Sequence, residues 1–146
     1  PWVDQELMCA AAFQGNVVCM NVQNGRLVWN AKVDAVTGPL ADGRLVYEVD
    51  DASRIHAFNR QNGREAWVNE SFLYRSASAP IRVGTSIAFG DYEGNITFLD
   101  PATGTPVART KLSGAVTTPA AQYGYGAVFQ TVEGDVAYVV ERADSE

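Results

Sequence analysis

Residues Phe89–Leu112 read FGDYEGNITFLDPATGTPVARTKL, and the punctuation of this stretch decides the fold. An apolar run ends at a tight Glu93-Gly94 turn, and a second run follows from Asn95 to Leu99. Asp100 and a wider turn, Pro101 to Gly104, lead into a third run. Glycine at the second turn position takes positive φ without steric penalty, so such a turn joins two strands of right-handed twist. A single copy is a hairpin with one added strand.

The same punctuation recurs along the chain. Gln14-Gly15-Asn16, Ala52-Ser53-Arg54 and Glu133-Gly134-Asp135 occupy the Glu93-Gly94-Asn95 slot. Further on in the first three copies come Gly25, Gly63 and Gly104, and beyond them Trp29 and Trp67, with Ala108 departing from the pattern. Pro1, Pro39, Pro80 and Pro119 open the repeats. A period of about forty residues with three to four strands per unit is the signature of a β-propeller blade. The sequence therefore predicts an all-β fold of about four blades, spanning approximately 1–37, 38–78, 79–117 and 118–146, with about fifteen strands and no helix. The runs Leu7 to Phe13, Val17 to Met20 and Ile96 to Leu99 do not alternate between apolar and polar, as befits strands covered on both faces. Composition alone would allow a helix over Leu7 to Ala12, but the repeat overrides it.

Net charge is −6 and 47% of residues are hydrophobic, which supports a core and argues against a nucleic-acid or anionic-lipid partner. No apolar run approaches the roughly 18 residues of a membrane helix, and no signal peptide is visible. The chain opens on Pro1, the first residue of a repeat, and so reads as an excerpt of a longer protein. In the fourth repeat the outer strand is missing: Asp144 stands where the next turn glycine should fall. The expectation is that another terminus completes that blade. Two end blades without neighbours would expose flat faces carrying Val17, Cys19, Val136 and Tyr138. Pairing with a second copy or with the missing half of a ring is expected to cover them.

Cys9 and Cys19 lie on the two arms of the first hairpin. A Gln14-Gly15 turn sets Cys9 opposite Met20 and Cys19 opposite Ala10, so the thiols face opposite sides and no disulfide is expected. A disulfide would overturn that register. His56 is the sole histidine, at a mid-strand position held by Val18, Thr97 and Ala137 in the other repeats, and reads as structural. No serine stands in a nucleophile elbow. Neither Asp91 to Asn95 nor Asp50-Asp51 has the alternating oxygen spacing of a calcium loop. Trp29 and Trp67 read as packing between blades. No glycine-rich phosphate loop precedes a helix. The longest connection, Glu70 to Ala79, gathers Phe72, Tyr74 and Arg75, residue types that anchor interfaces. Phe72 and Leu73 could equally plug the seam between two blades.

The repeats Gly15-Asn16 through Asn24-Gly25 to Trp29, and Gly94-Asn95 through Asp100 to Gly104, resemble the PQQ-like blade. The order of the less repetitive features is more specific: Phe72-Leu73-Tyr74-Arg75 leading to Ala79-Pro80, then Asp91 to Gly94, Val107-Ala108, and Phe129-Gln130 to Gly134. In that order the chain resembles the C-terminal half of the BamB family, lipoproteins of the outer-membrane β-barrel assembly machinery. The resemblance implies an eight-bladed ring on the periplasmic face of the outer membrane, lipid-anchored through an N-terminal cysteine that is neither Cys9 nor Cys19. It implies a non-enzymatic scaffold without cofactor that binds the POTRA domains of BamA and helps deliver unfolded outer-membrane proteins. The family's contact loops lie upstream of Pro1. The neighbouring connections Lys32 to Gly38 and Glu70 to Ala79 remain, with Asp34, Phe72, Tyr74 and Arg75 as candidate partner-binding residues. The alternatives are a quinone-dependent dehydrogenase, which shares the blade but needs a cofactor pocket, and a propeller subunit of another periplasmic assembly.

Overall fold

The computed structural model describes residues 1–12 and 15–142. Phe13, Gln14 and Asp144, which carried parts of the sequence reading, lie outside the described residues. Fifteen strands and no helix are present among the described residues. The chain divides into two compact units, Pro1–Tyr74 and Arg75–Glu146, each holding two antiparallel sheets.

In the first unit, β1 (Trp2–Val3), β2 (Leu7–Ala11), β3 (Asn16–Asn21) and β4 (Leu27–Lys32) pair in sequence order to make one blade. The second blade, β5 (Leu40–Ala41), β6 (Leu45–Val49), β7 (Ile55–Asn59) and β8 (Glu65–Asn69), repeats the order. In the second unit the third blade comprises β9 (Ile81–Val83), β10 (Ser86–Gly90), β11 (Asn95–Leu99) and β12 (Pro106–Lys111). The fourth has three strands among the described residues: β13 (Ala121–Tyr123), β14 (Gly126–Gln130) and β15 (Val136–Val139). β10 and β11 are buried at every position, which is why their sequences do not alternate.

The central hairpins correct the sequence reading in one respect. In the third blade Asp91 N–H donates to Asn95 O, Gly94 N–H donates to Asp91 O, and Gly94 has φ +88°. That is a three-residue loop, a type I turn closed by a left-handed residue, and not a two-residue turn. The same bond pair joins Ala12, Gly15 and Asn16, then Asp50, Ser53 and Arg54, then Thr131, Gly134 and Asp135. One extra loop residue slides each register by one, and a one-residue slip exchanges the faces of one arm relative to the other.

The disulfide follows from that slip. Cys9 lies opposite Cys19, not Met20, with Cα atoms 4.2 Å apart, and the two are bonded. So short a spacing belongs to a non-hydrogen-bonded antiparallel pair, where side chains stand closest. The expectation of two unpaired thiols is therefore overturned. Val17 and Cys19, which were expected on an open face, lie instead on the face turned toward the second blade. Both are buried in the core of the first unit with Leu7, Cys9, Trp29, Val33, Ala35, Val46 and Phe58. Val136 and Tyr138 are exposed.

A bulge between Cys19 and Met20 in the β3–β4 ladder sets Trp29 opposite Cys19, on the face that meets the second blade. The indole ring lies 6.0 Å from Phe58, and its Nε1–H donates to Arg60 O at 2.7 Å. Arg60 then reaches back to the first blade. Its guanidinium pairs with Asp4 at 2.5 Å and sits 5.4 Å from the centre of the Trp2 ring. Trp67 packs on Tyr47 of its own blade, with ring centres 6.0 Å apart. The second unit has its own core of Val83, Ala88, Ile96, Phe98, Val116, Ala127 and Phe129. There Glu141 accepts from Thr85 N–H and from the hydroxyls of Thr85 and Ser86, tying the end of the fourth blade to the third.

Candidate interaction rim

Each central hairpin tip is bonded through its backbone to the connection between blades. In the first unit this brings two of the candidate segments to one hairpin. Asp51 N–H donates to Asp34 O at 2.9 Å, Val36 N–H to Val49 O at 3.2 Å, and Tyr74 N–H to Ala52 O at 3.0 Å. The 50–54 tip thus lies between Asp34 and Tyr74, residues forty positions apart. Asp34, Val36, Asp51, Leu73 and Tyr74 are exposed there, Tyr74 at 84%. Tyr74 also has φ +60°, a conformation uncommon for a bulky side chain that persists only where surrounding contacts fix it.

Phe72 behaves differently. It is 6% exposed, whereas Leu73 beside it is exposed. Arg75 opens the second unit. Its guanidinium lies 3.2 Å from Glu93 and 3.4 Å from Asp91, while its carbonyl accepts from Tyr92 N–H. The hydrogen bond to Glu93, then the field of that carboxylate and of Asp91, holds the guanidinium still more firmly in its charged form. Arg75 is therefore partly occupied by its own acids, with 36% of the side chain accessible.

The hairpin tip is stiff. Asp50 Oδ1 accepts from the N–H groups of Ala52 and Arg54, and Oδ2 accepts from Arg54 Nε at 2.6 Å and faces His56 Nε2 at 2.9 Å. Burial opposes ionisation of Asp50, but the bonds from His56 and Arg54 outweigh it and hold the carboxyl below its usual range. His56 Nδ1 lies 2.9 Å from Glu65 Oε2, and the imidazole stacks on Phe58 with the planes 1° apart. The histidine is thus braced on three sides as a structural element. Among the described residues no group of three or more His, Cys, Asp or Glu could hold a metal ion.

Glu48 is a feature the sequence reading passed over. Its side chain is fully buried on β6, opposite His56 across the β6–β7 ladder. Burial pushes its carboxyl up to about 7, although Thr37 Oγ1 and Val49 N–H both donate to Oε1. The available signal was a lone carboxylate inside the otherwise apolar strand Leu45-Val-Tyr-Glu-Val49. In the second unit an open groove of about 700 Å³ runs between β12 and β15, lined by Phe98, Val107, Arg109, Tyr138 and Arg142 among others.

Antiparallel sheets in sequence order, three of four strands and one of three among the described residues, are blades of the β-propeller kind. The sequence profile of the family described as "Outer membrane protein assembly factor BamB" matches residues 1–69. The protein of that name from Bordetella pertussis is 33% identical over 141 residues, covering 95% of this chain and 36% of the relative. The crystal structure of BamB from Moraxella catarrhalis superposes with a TM-score of 0.89 at 25% identity, covering 94% of this chain and 41% of that one. The chain is BamB-like over nearly its whole length and spans little more than a third of the relative from B. pertussis. A quinohemoprotein alcohol dehydrogenase from Comamonas testosteroni also matches, with 21% identity and a TM-score of 0.64 over 76% of this chain and 20% of that one. That likeness concerns the fold alone.

Proposed function

We propose that this chain forms part of a non-catalytic scaffold in outer-membrane protein assembly, docking its partners through the loops that link its blades. The observation that carries this reading is the likeness to an outer-membrane assembly factor across 95% of the chain. The rim supports it: a rigid sheet frame gathers Asp34 and Tyr74, from two connections, on either side of a stiffened hairpin that carries Asp51, and function on such frames resides in the connecting loops. The partner in this reading is the set of BamA POTRA domains, with unfolded outer-membrane proteins as clients. The compartment is the periplasm at the outer membrane. The Cys9–Cys19 disulfide agrees with it, because disulfides persist where the surroundings are oxidising.

The test is a binding titration of the chain against BamA POTRA domains, with Asp34→Ala, Tyr74→Ala and Arg75→Ala. Tyr74→Ala is expected to weaken binding about tenfold or more, and Asp34→Ala and Arg75→Ala less, at unchanged melting temperature. If the parent does not bind, the loops of this chain are not by themselves the interface. If it binds and all three variants match it, the interface lies away from this rim.

A further inference from the structure

Among the described residues, Glu48 Oε2 is the buried side-chain oxygen left without a hydrogen-bond partner. The segment held against it is the 33–38 connection. Thr37 Oγ1 donates to Glu48 Oε1 at 2.7 Å, Val36 N–H donates to Val49 O, and Ala35 bridges Asp50. The charged groups around the site are otherwise engaged or distant. His56, directly opposite, lies between Asp50 and Glu65, and Arg54 is held by Asp50. Asp34 is exposed on the connection itself, and His56 and the amino group of Pro1 act on Glu48 only through their fields. Among the described residues no cation reaches Oε2 to compensate a buried negative charge, which is therefore stable only with access to water.

We propose that Glu48 makes the 33–38 connection a proton-sensitive latch: it seals over the neutral carboxyl and opens to water when the proton leaves to solvent. Closed, the carboxyl titrates at about 7; open and solvated, it returns to the ordinary 4.5. The open form binds fewer protons, so the latch is at full strength below about pH 4.5. It weakens as pH rises and has lost this contribution above about 7. The latch depends on contacts inside the first unit and not on any partner, so its failure and the failure of POTRA binding are separate results.

Amide hydrogen exchange of Val36 and Asp51, corrected for intrinsic rates, tests it in the full 146-residue chain. Between pH 5 and 7 their protection should fall on the order of tens of fold and then level off. Glu48→Gln should abolish that pH dependence. A flat profile in the parent, or the same fall in Glu48→Gln, would overturn the latch. Direct titration of the Glu48 carboxyl by carbon NMR needs no variant. A midpoint above 5, drawn down from the closed-state value of about 7 as the latch opens, supports the latch, and one below 5 refutes it.

Discussion

Gly25 and Gly63 occupy the same turn in successive blades, with φ of +67° and +72°, yet they meet different surroundings. A methyl group at Gly25 would meet nothing within 4 Å, whereas one at Gly63 would lie 2.6 Å from Trp29 Cδ2 and Cε3. Alanine at either site carries the left-handed backbone penalty, about 1–2 kcal/mol. Gly63→Ala must in addition displace an indole pinned by its bond to Arg60 O, an overpacking term of about 1–3 kcal/mol. Gly63→Ala should therefore destabilise by about 2–5 kcal/mol and Gly25→Ala by only about 1–2. The assay is urea unfolding followed by far-UV circular dichroism, with both substitutions made in the parent and in Trp29→Ala. Trp29→Ala by itself should lower stability by about 3–5 kcal/mol, and in that background Gly63→Ala should fall to the level of Gly25→Ala. Equal losses for the two glycines in the parent, or no coupling between Gly63 and Trp29, would refute the docking of the first blade on the second through this indole.

Two further outcomes follow from the first unit. Reducing the Cys9–Cys19 bridge, or Cys9→Ser with Cys19→Ser, should lower stability by about 2–3 kcal/mol, the loop-closure value for a bridge of this span; an unchanged urea midpoint on adding reductant would contradict it. Arg60→Met keeps the aliphatic stem but removes the Asp4 ion pair and the cation over Trp2. It should reduce stability by about 1–2 kcal/mol at low salt and less in 1 M salt, and a loss independent of salt would show that packing outweighs charge there.

The sequence by itself determined the architecture. Turn glycines and prolines recurring about every forty residues mark where each strand must end, because few residue types adopt those backbone conformations. The unalternating run Ile96 to Leu99 gave a strand covered on both faces, whereas Leu7–Ala11 and Asn16–Asn21 are buried on one face and only half-buried on the other; the constant position of Trp29 gave an indole between blades. Single-residue geometry was beyond it. Glu93-Gly94 is compatible with a two-residue or a three-residue loop, and only the bond from Asp91 N–H to Asn95 O separates them. On that one residue hung the pairing of Cys9 with Cys19, since side chains on a strand alternate with a period of two. The rim was likewise half legible. Loop length and residue type singled out Tyr74 and Arg75, and the family resemblance singled out Asp34, but neither showed the burial of Phe72 or the 50–54 hairpin that gathers Asp34 and Tyr74. Glu48 shows the same limit: its neighbours in the chain say that it is enclosed. Which of its oxygens finds a donor was decided only when Thr37, from a different connection, folded over it.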